Sequence, residues 1–115
     1  MKVEIKSKQN YGTYTEETSE TFECEKRVEN DRVEIWNENI HILIEENKII
    51  QTRNSNEIVV EVGRTNLCRY KTEQGSFEME ITGISIDMQE NLTRASYQIK
   101  ISGALSYTNE IEIIM

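Results

Sequence analysis

The chain holds one histidine and two cysteines, and their spacing decides what chemistry is open to it. His41 stands between Ile40 and Ile42, while Cys24 and Cys68 lie far from it and from each other along the chain. A zinc site needs three or four converging nitrogen, sulfur or carboxylate ligands. A nucleophile needs a base beside it. Neither pattern is present, so His41 reads as a structural histidine. Glu16-Glu17 and Glu45-Glu46 are chain neighbours, and in extended backbone neighbouring side chains point to opposite faces. An acid–base couple needs two carboxylates turned toward one site. The five glycines are isolated, so no glycine-rich loop is available to cradle a phosphate. No enzymatic activity, metal or cofactor is expected.

Two constellations remain. Trp36, Tyr70, Phe77 and Tyr97 fall in stretches that read as strands. Turned inward, they would grip a small, largely apolar ligand; turned into a packed interior, they would fill it. The 16 isoleucines favour the filled interior. Arg64, Arg69 and Lys71 form a basic cluster with no acid between them. Such a cluster would receive an anionic ligand or an acidic partner, or simply balance nearby glutamates. The first functional expectation is therefore a binding barrel for a small apolar molecule. The alternative is a protein-interaction or regulatory module that uses its charged outer surface.

The elements that must position these groups are strands. A chain of 115 residues has room for one domain. It carries 16 Ile and 6 Val against 4 Leu, and β-branched side chains suit a pleated surface better than a helix. Proline is absent. The net charge of −8 opposes contact with nucleic-acid phosphates and anionic lipid. No apolar run reaches the roughly 18–20 residues of a spanning helix. Met1–Lys6 reads as a strand rather than the apolar core of an export signal. The protein is therefore expected in the cytoplasm, with both cysteines reduced.

Periodicity of two is plain along the chain. Val3, Ile5 and Ser7 share one face of the first strand, with Lys2, Glu4, Lys6 and Lys8 on the other. In Thr15–Glu25, Phe22 and Cys24 oppose Glu17, Glu23 and Glu25. Outward lysines on one strand and glutamates on the next predict that these two strands pair. Turns are expected at Asn30-Asp31, Glu46-Asn47, Asn54–Asn56 and Glu73–Gly75. A loop is expected at Gly103–Tyr107. Phe77, Met79 and Ile81 occupy odd positions, whereas Ile84, Ile86 and Met88 occupy even ones. The phase flips across Thr82-Gly83, which is either a β-bulge or a turn between two short strands. Both readings leave those six side chains in the core. About eight to ten short strands must then close on themselves or split into two packed layers, and closure hides their edges best. The predicted fold is all-β, a closed antiparallel barrel.

The segment Tyr70–Thr82, with Tyr70, Thr72, Gly75 and Thr82, resembles the YwiB-like family of small bacterial proteins. The likeness continues through Ile5–Gln9, Tyr97–Ile101 and the closing Ser106 and Asn109–Ile113. Trp36 stands where an aromatic residue is usual. The resemblance implies a calycin-type, lipocalin-like barrel in the bacterial cytoplasm. It implies no activity, since that family is a domain of unknown function.

Overall fold

The computed structural model describes residues 1–101 and 105–115. Eleven strands are present among them: β1 (Lys2–Asn10), β2 (Thr15–Glu23), β3 (Glu25–Glu29), β4 (Arg32–Trp36), β5 (Ile40–Glu45), β6 (Lys48–Arg53), β7 (Asn56–Glu61), β8 (Thr65–Thr72), β9 (Gly75–Gln89), β10 (Leu92–Ile101) and β11 (Leu105–Ile114). The loop expected at Gly103–Tyr107 falls partly outside the described residues; from Leu105 onward the backbone is already strand.

The strands form two antiparallel sheets. One has six strands in the order β2-β1-β11-β10-β9-β8, the other five in the order β3-β4-β5-β6-β7. This corrects the closed-barrel expectation, including its calycin or lipocalin form: neither sheet closes on itself. The chain crosses between sheets at two places. At Cys24 it leaves β2 for β3, held there by reciprocal bonds between Cys24 and Met1, with Cys24 N donating to Met1 O at 2.9 Å and the N-terminal ammonium donating to Cys24 O at 3.1 Å. At Val62–Arg64 it turns from β7 to β8 through Gly63, whose φ of +77° lies in the left-handed region that glycine tolerates.

No ladder runs between β7 and β8. Two local devices tie this end of the five-stranded sheet to β9 and β8 instead. Val62 makes a single bridge to Gly83, where Gly63 N donates to Gly83 O at 3.0 Å and Gly83 N donates to Arg64 O at 3.2 Å. Farther along, the buried Asn56 side chain imitates a peptide group: its Nδ2 donates to Lys71 O at 3.0 Å and its Oδ1 accepts from Lys71 N at 2.9 Å. Backbone polar groups are thus met without continuing the sheet around.

The core lies between the sheets. Val3, Ile5, Ile81, Ile99, Ile111 and Ile113 from the six-stranded sheet meet Val33, Ile35, Ile42, Ile44, Ile49 and Val60 from the other. Burying each such side chain contributes roughly 1.5–3 kcal/mol. The predicted pairing of β1 with β2 holds, with Lys2 opposite Glu23 and Lys8 opposite Glu17. Asn30 and Asp31 adopt positive φ in their turn, as do Asn54 and Ser55.

Thr82-Gly83 lies within one continuous strand, so the bulge reading is the one that stands. Ser96 pairs with Ser85 and Tyr97 with Gly83, which leaves Ile84 without a partner. The extra residue is Ile84 itself. It turns outward and is 53% exposed, against the expectation that it joins the core.

Candidate functional site

The four aromatic residues singled out above go to three places. Tyr70 and Phe77 face each other across the β8–β9 ladder, their rings stacked at 5.6 Å, half-buried against the core. Tyr97 lies deeper. Its hydroxyl accepts from Asn109 Nδ2 at 2.8 Å, Asn109 Oδ1 accepts from Ser7 Oγ at 2.8 Å, and Ser7 Oγ accepts from Gln9 Nε2 at 2.8 Å. This chain of polar side chains runs from the rim to the core and satisfies groups that would be costly to bury alone. Burial pushes the Tyr97 phenol up to about 12, against the smaller opposing pull of the Asn109 hydrogen bond. Trp36 is brought to none of these. Ile35 points into the core, so its neighbour Trp36 lies on the outer face of the five-stranded sheet. There Arg27 sits over the indole at 5.9 Å and donates to Glu34 Oε1 at 2.6 Å. His41 Nε2 lies 3.1 Å from Glu34 Oε2. The Glu34 carboxyl is held below the usual carboxylate range, chiefly by the His41 hydrogen bond and further by the Arg27 charge.

The basic cluster spreads along one corner. Arg64 lies 3.6 Å from Glu61 and Arg69 lies 3.4 Å from Glu78. Lys71 is exposed on edge strand β8 beside the Asn56 clasp. Each arginine has a carboxylate at hand, and exposed pairs of this kind are worth little energetically.

A concave feature of the surface lies elsewhere, on the outer face of the six-stranded sheet. A trough of about 760 Å³ is lined by four carboxylates (Glu17, Asp87, Glu110, Glu112) and three cations (Lys6, Lys8, Arg94), with Ser19, Ser85 and Ser96 among them. The alternation that sends Ile5, Ala95 and Ile111 inward sends these residues out. Strand order then sorts them by sign. β2 brings acid, β1 base, β11 acid, β10 base and β9 acid. Lys6 stands opposite Glu112, Lys8 opposite Glu110, and Arg94 opposite both Glu112 and Asp87. Arg94 Nε donates to Glu112 Oε2 at 3.2 Å. Opposite charges across strands support the sheet by a few tenths to about 1 kcal/mol per pair. They also present a partner with parallel stripes of alternating charge. Sequence reasoning picked out the lysines of β1 and the glutamates of β2 but not this trough. Its other half depends on β11 lying beside β1, a pairing between the two ends of the chain.

Among the described residues, no three His, Cys, Asp or Glu side chains gather into a metal-holding group, and no helix is long and apolar enough to cross a membrane. Cys24 and Cys68 are both free and buried.

No protein-family model matches the chain, and no curated protein does. Among solved structures, the crystal structure of the ywiB protein from Bacillus subtilis is similar to it, with a TM-score of 0.73 at 16% identity, over 98% of this chain and 89% of that one. At that identity the likeness to the Bacillus subtilis ywiB protein is one of fold alone.

Proposed function

We propose that this protein is a non-enzymatic interaction module of the YwiB-like family, acting in the bacterial cytoplasm, and that the striped trough of its six-stranded sheet is where a protein partner docks. The observation that carries the reading is the trough itself, a polar concavity with its charges sorted by strand. Complementary charge of this kind steers encounter and fixes register more than it adds affinity. Family membership is supported by the fold likeness over nearly the whole chain and by the Tyr70–Thr82 and Tyr97–Ile101 segments. The cytoplasmic setting is supported by two unpaired thiols. A ligand held inside a barrel is not carried forward, because the sheets do not close.

The test is partner capture from bacterial lysate with a photoreactive residue at Ser96. Cross-linked partner should be lost in the Lys8→Glu, Arg94→Glu double variant and retained in Arg69→Glu, Lys71→Glu. Capture that survives the first pair and fails with the second moves the site to the basic corner and ends the trough reading.

A further inference from the structure

We infer that β2 is a docking edge, at which an extended lysine- or arginine-bearing segment of a partner protein adds as a seventh strand to the six-stranded sheet. β2 is the terminal strand of its sheet, and β1 is its strand neighbour. Their ladder runs unbroken from Lys2↔Glu23 to Asn10↔Thr15, so the edge carries no bulge and is nine residues long. In an antiparallel strand every second residue turns its N–H and C=O away from the neighbour. β1 is the one strand that packs closely along β2, and every β2 side chain except Phe22 is exposed. The far end is finished off, since Asn37 Nδ2 donates to Glu23 O at 3.0 Å. Thr15–Phe22 remains as a pairing template.

Natural edge strands are usually blunted by lysine, proline, a bulge or short length. β2 has none of these. It reads Thr-Glu-Glu-Thr-Ser-Glu-Thr-Phe-Glu, rich in β-forming threonine and without a single cation. Its one defence is negative charge, and that defence is selective. A second copy of the chain would set four carboxylates against four, with no cation in either strand, and like charges across strands oppose pairing. A basic strand meets no such barrier. Within the molecule Arg53 binds Glu20 and the N-terminal ammonium lies 3.6 Å from Glu23. Glu16 and Glu17, on opposite faces of the strand, make no ion pair among the described residues, though Lys8 stands opposite Glu17 across the ladder; Glu16 is the carboxylate most open to a partner. The edge adjoins the trough, because Glu17 and Ser19 line it, yet pairing here rests on backbone groups and the trough reading on side chains.

The experiment follows amide exchange by NMR in the ¹⁵N-labelled protein with three nine-residue probe peptides. The first alternates lysine with threonine, the second replaces lysine with glutamate, and the third is the lysine peptide N-methylated through its central five residues. The lysine peptide should slow exchange of alternate amides in Thr15–Phe22 at least tenfold, with the effect reduced several-fold in 0.5 M salt. The glutamate and N-methylated peptides should leave those amides unchanged. No binding of the lysine peptide, equal binding of the methylated one, binding without protection of β2, or β2 amides already protected by self-association would each overturn the inference. The Lys8→Glu, Arg94→Glu protein separates the two proposals. Peptide protection retained there while partner capture is lost upholds the edge independently of the trough. Peptide protection lost there, with β2 untouched, assigns the binding to the trough and refutes the edge.

Discussion

Replacing Gly83 with alanine adds one carbon where the two sheets meet backbone to backbone. The new Cβ would stand 2.5 Å from the Glu61 carbonyl carbon and 2.8 Å from Val62 N, and closer still to the Glu61 carbonyl oxygen. Real Cβ atoms do not approach backbone so nearly, and no flexible side chain is present to move aside. Relief requires the corner to open, which strains the bonds that Gly83 shares with Gly63 and Arg64. Overpacking of this kind costs about 3 kcal/mol. Unfolding entropy near the melting temperature is about 0.24 kcal/mol/K for a chain of 115 residues. The expected loss in Tm is therefore about 12 °C, read by circular dichroism on heating. Ile84→Ala, one residue along, removes an exposed side chain with no cross-strand partner and should change Tm by about 2 °C or less. Equal melting of Gly83→Ala and wild type would show that the corner is looser than its contacts require, and the account of how the sheets are joined would fail.

Three further outcomes follow from polar side-chain contacts. Because the Tyr97 phenol rises from its ordinary 10 to about 12 on folding, the unfolded chain loses that proton first. The Tyr97 contribution to stability should be constant below pH 10 and fall by about 1.4 kcal/mol per pH unit between pH 10 and 12. In Tyr97→Phe that part of the fall should vanish in urea titrations, while the stranded Asn109 amide lowers stability at neutral pH by about 1–3 kcal/mol. Asn56→Ala removes both bonds to the Lys71 backbone; thermal melts should show a loss of about 1–3 kcal/mol, and Asn56→Asp should be no milder at neutral pH, because its second carboxylate oxygen faces the Lys71 carbonyl. In His41→Ala, carboxyl ¹³C shifts should place the Glu34 titration nearer the ordinary glutamate range than in wild type, since His41 is the main cause of its depression.

Local alternation carried most of the strand boundaries, because a side chain's face depends only on its neighbours. Val3 and Ile5, Met79 and Ile81, and Ala95, Tyr97 and Ile99 are buried as their period requires. The same rule, run from Val33 and Ile35, already places Trp36 outside. What alternation does not encode is which distant strands become neighbours. The β1–β11 ladder joins residues about a hundred positions apart, and the trough exists only through it. Closure also depends on long-range contacts. A barrel demands ladders between β7 and β8 and between β2 and β3; instead the Asn56 side chain bonds the β8 backbone and Val62 makes a single bridge to Gly83 of β9. Ile84 was misplaced for a narrower reason. A phase flip marks a bulge without saying which residue is the extra one, and here the unpaired residue is apolar. The break at Cys24, which divides Thr15–Glu25 into the end of one sheet and the start of another, depends on Met1 bonding back to it.

Both interaction proposals need an open six-stranded sheet, and amide exchange in the free monomer tests that directly. Alternate amides in Thr15–Phe22 should exchange rapidly while the central strand β10, bonded on both sides by β9 and β11, stays protected throughout. Uniform slow exchange along β2 would mean that its edge is already paired, and a two-sheet molecule with a free docking edge would be the wrong description.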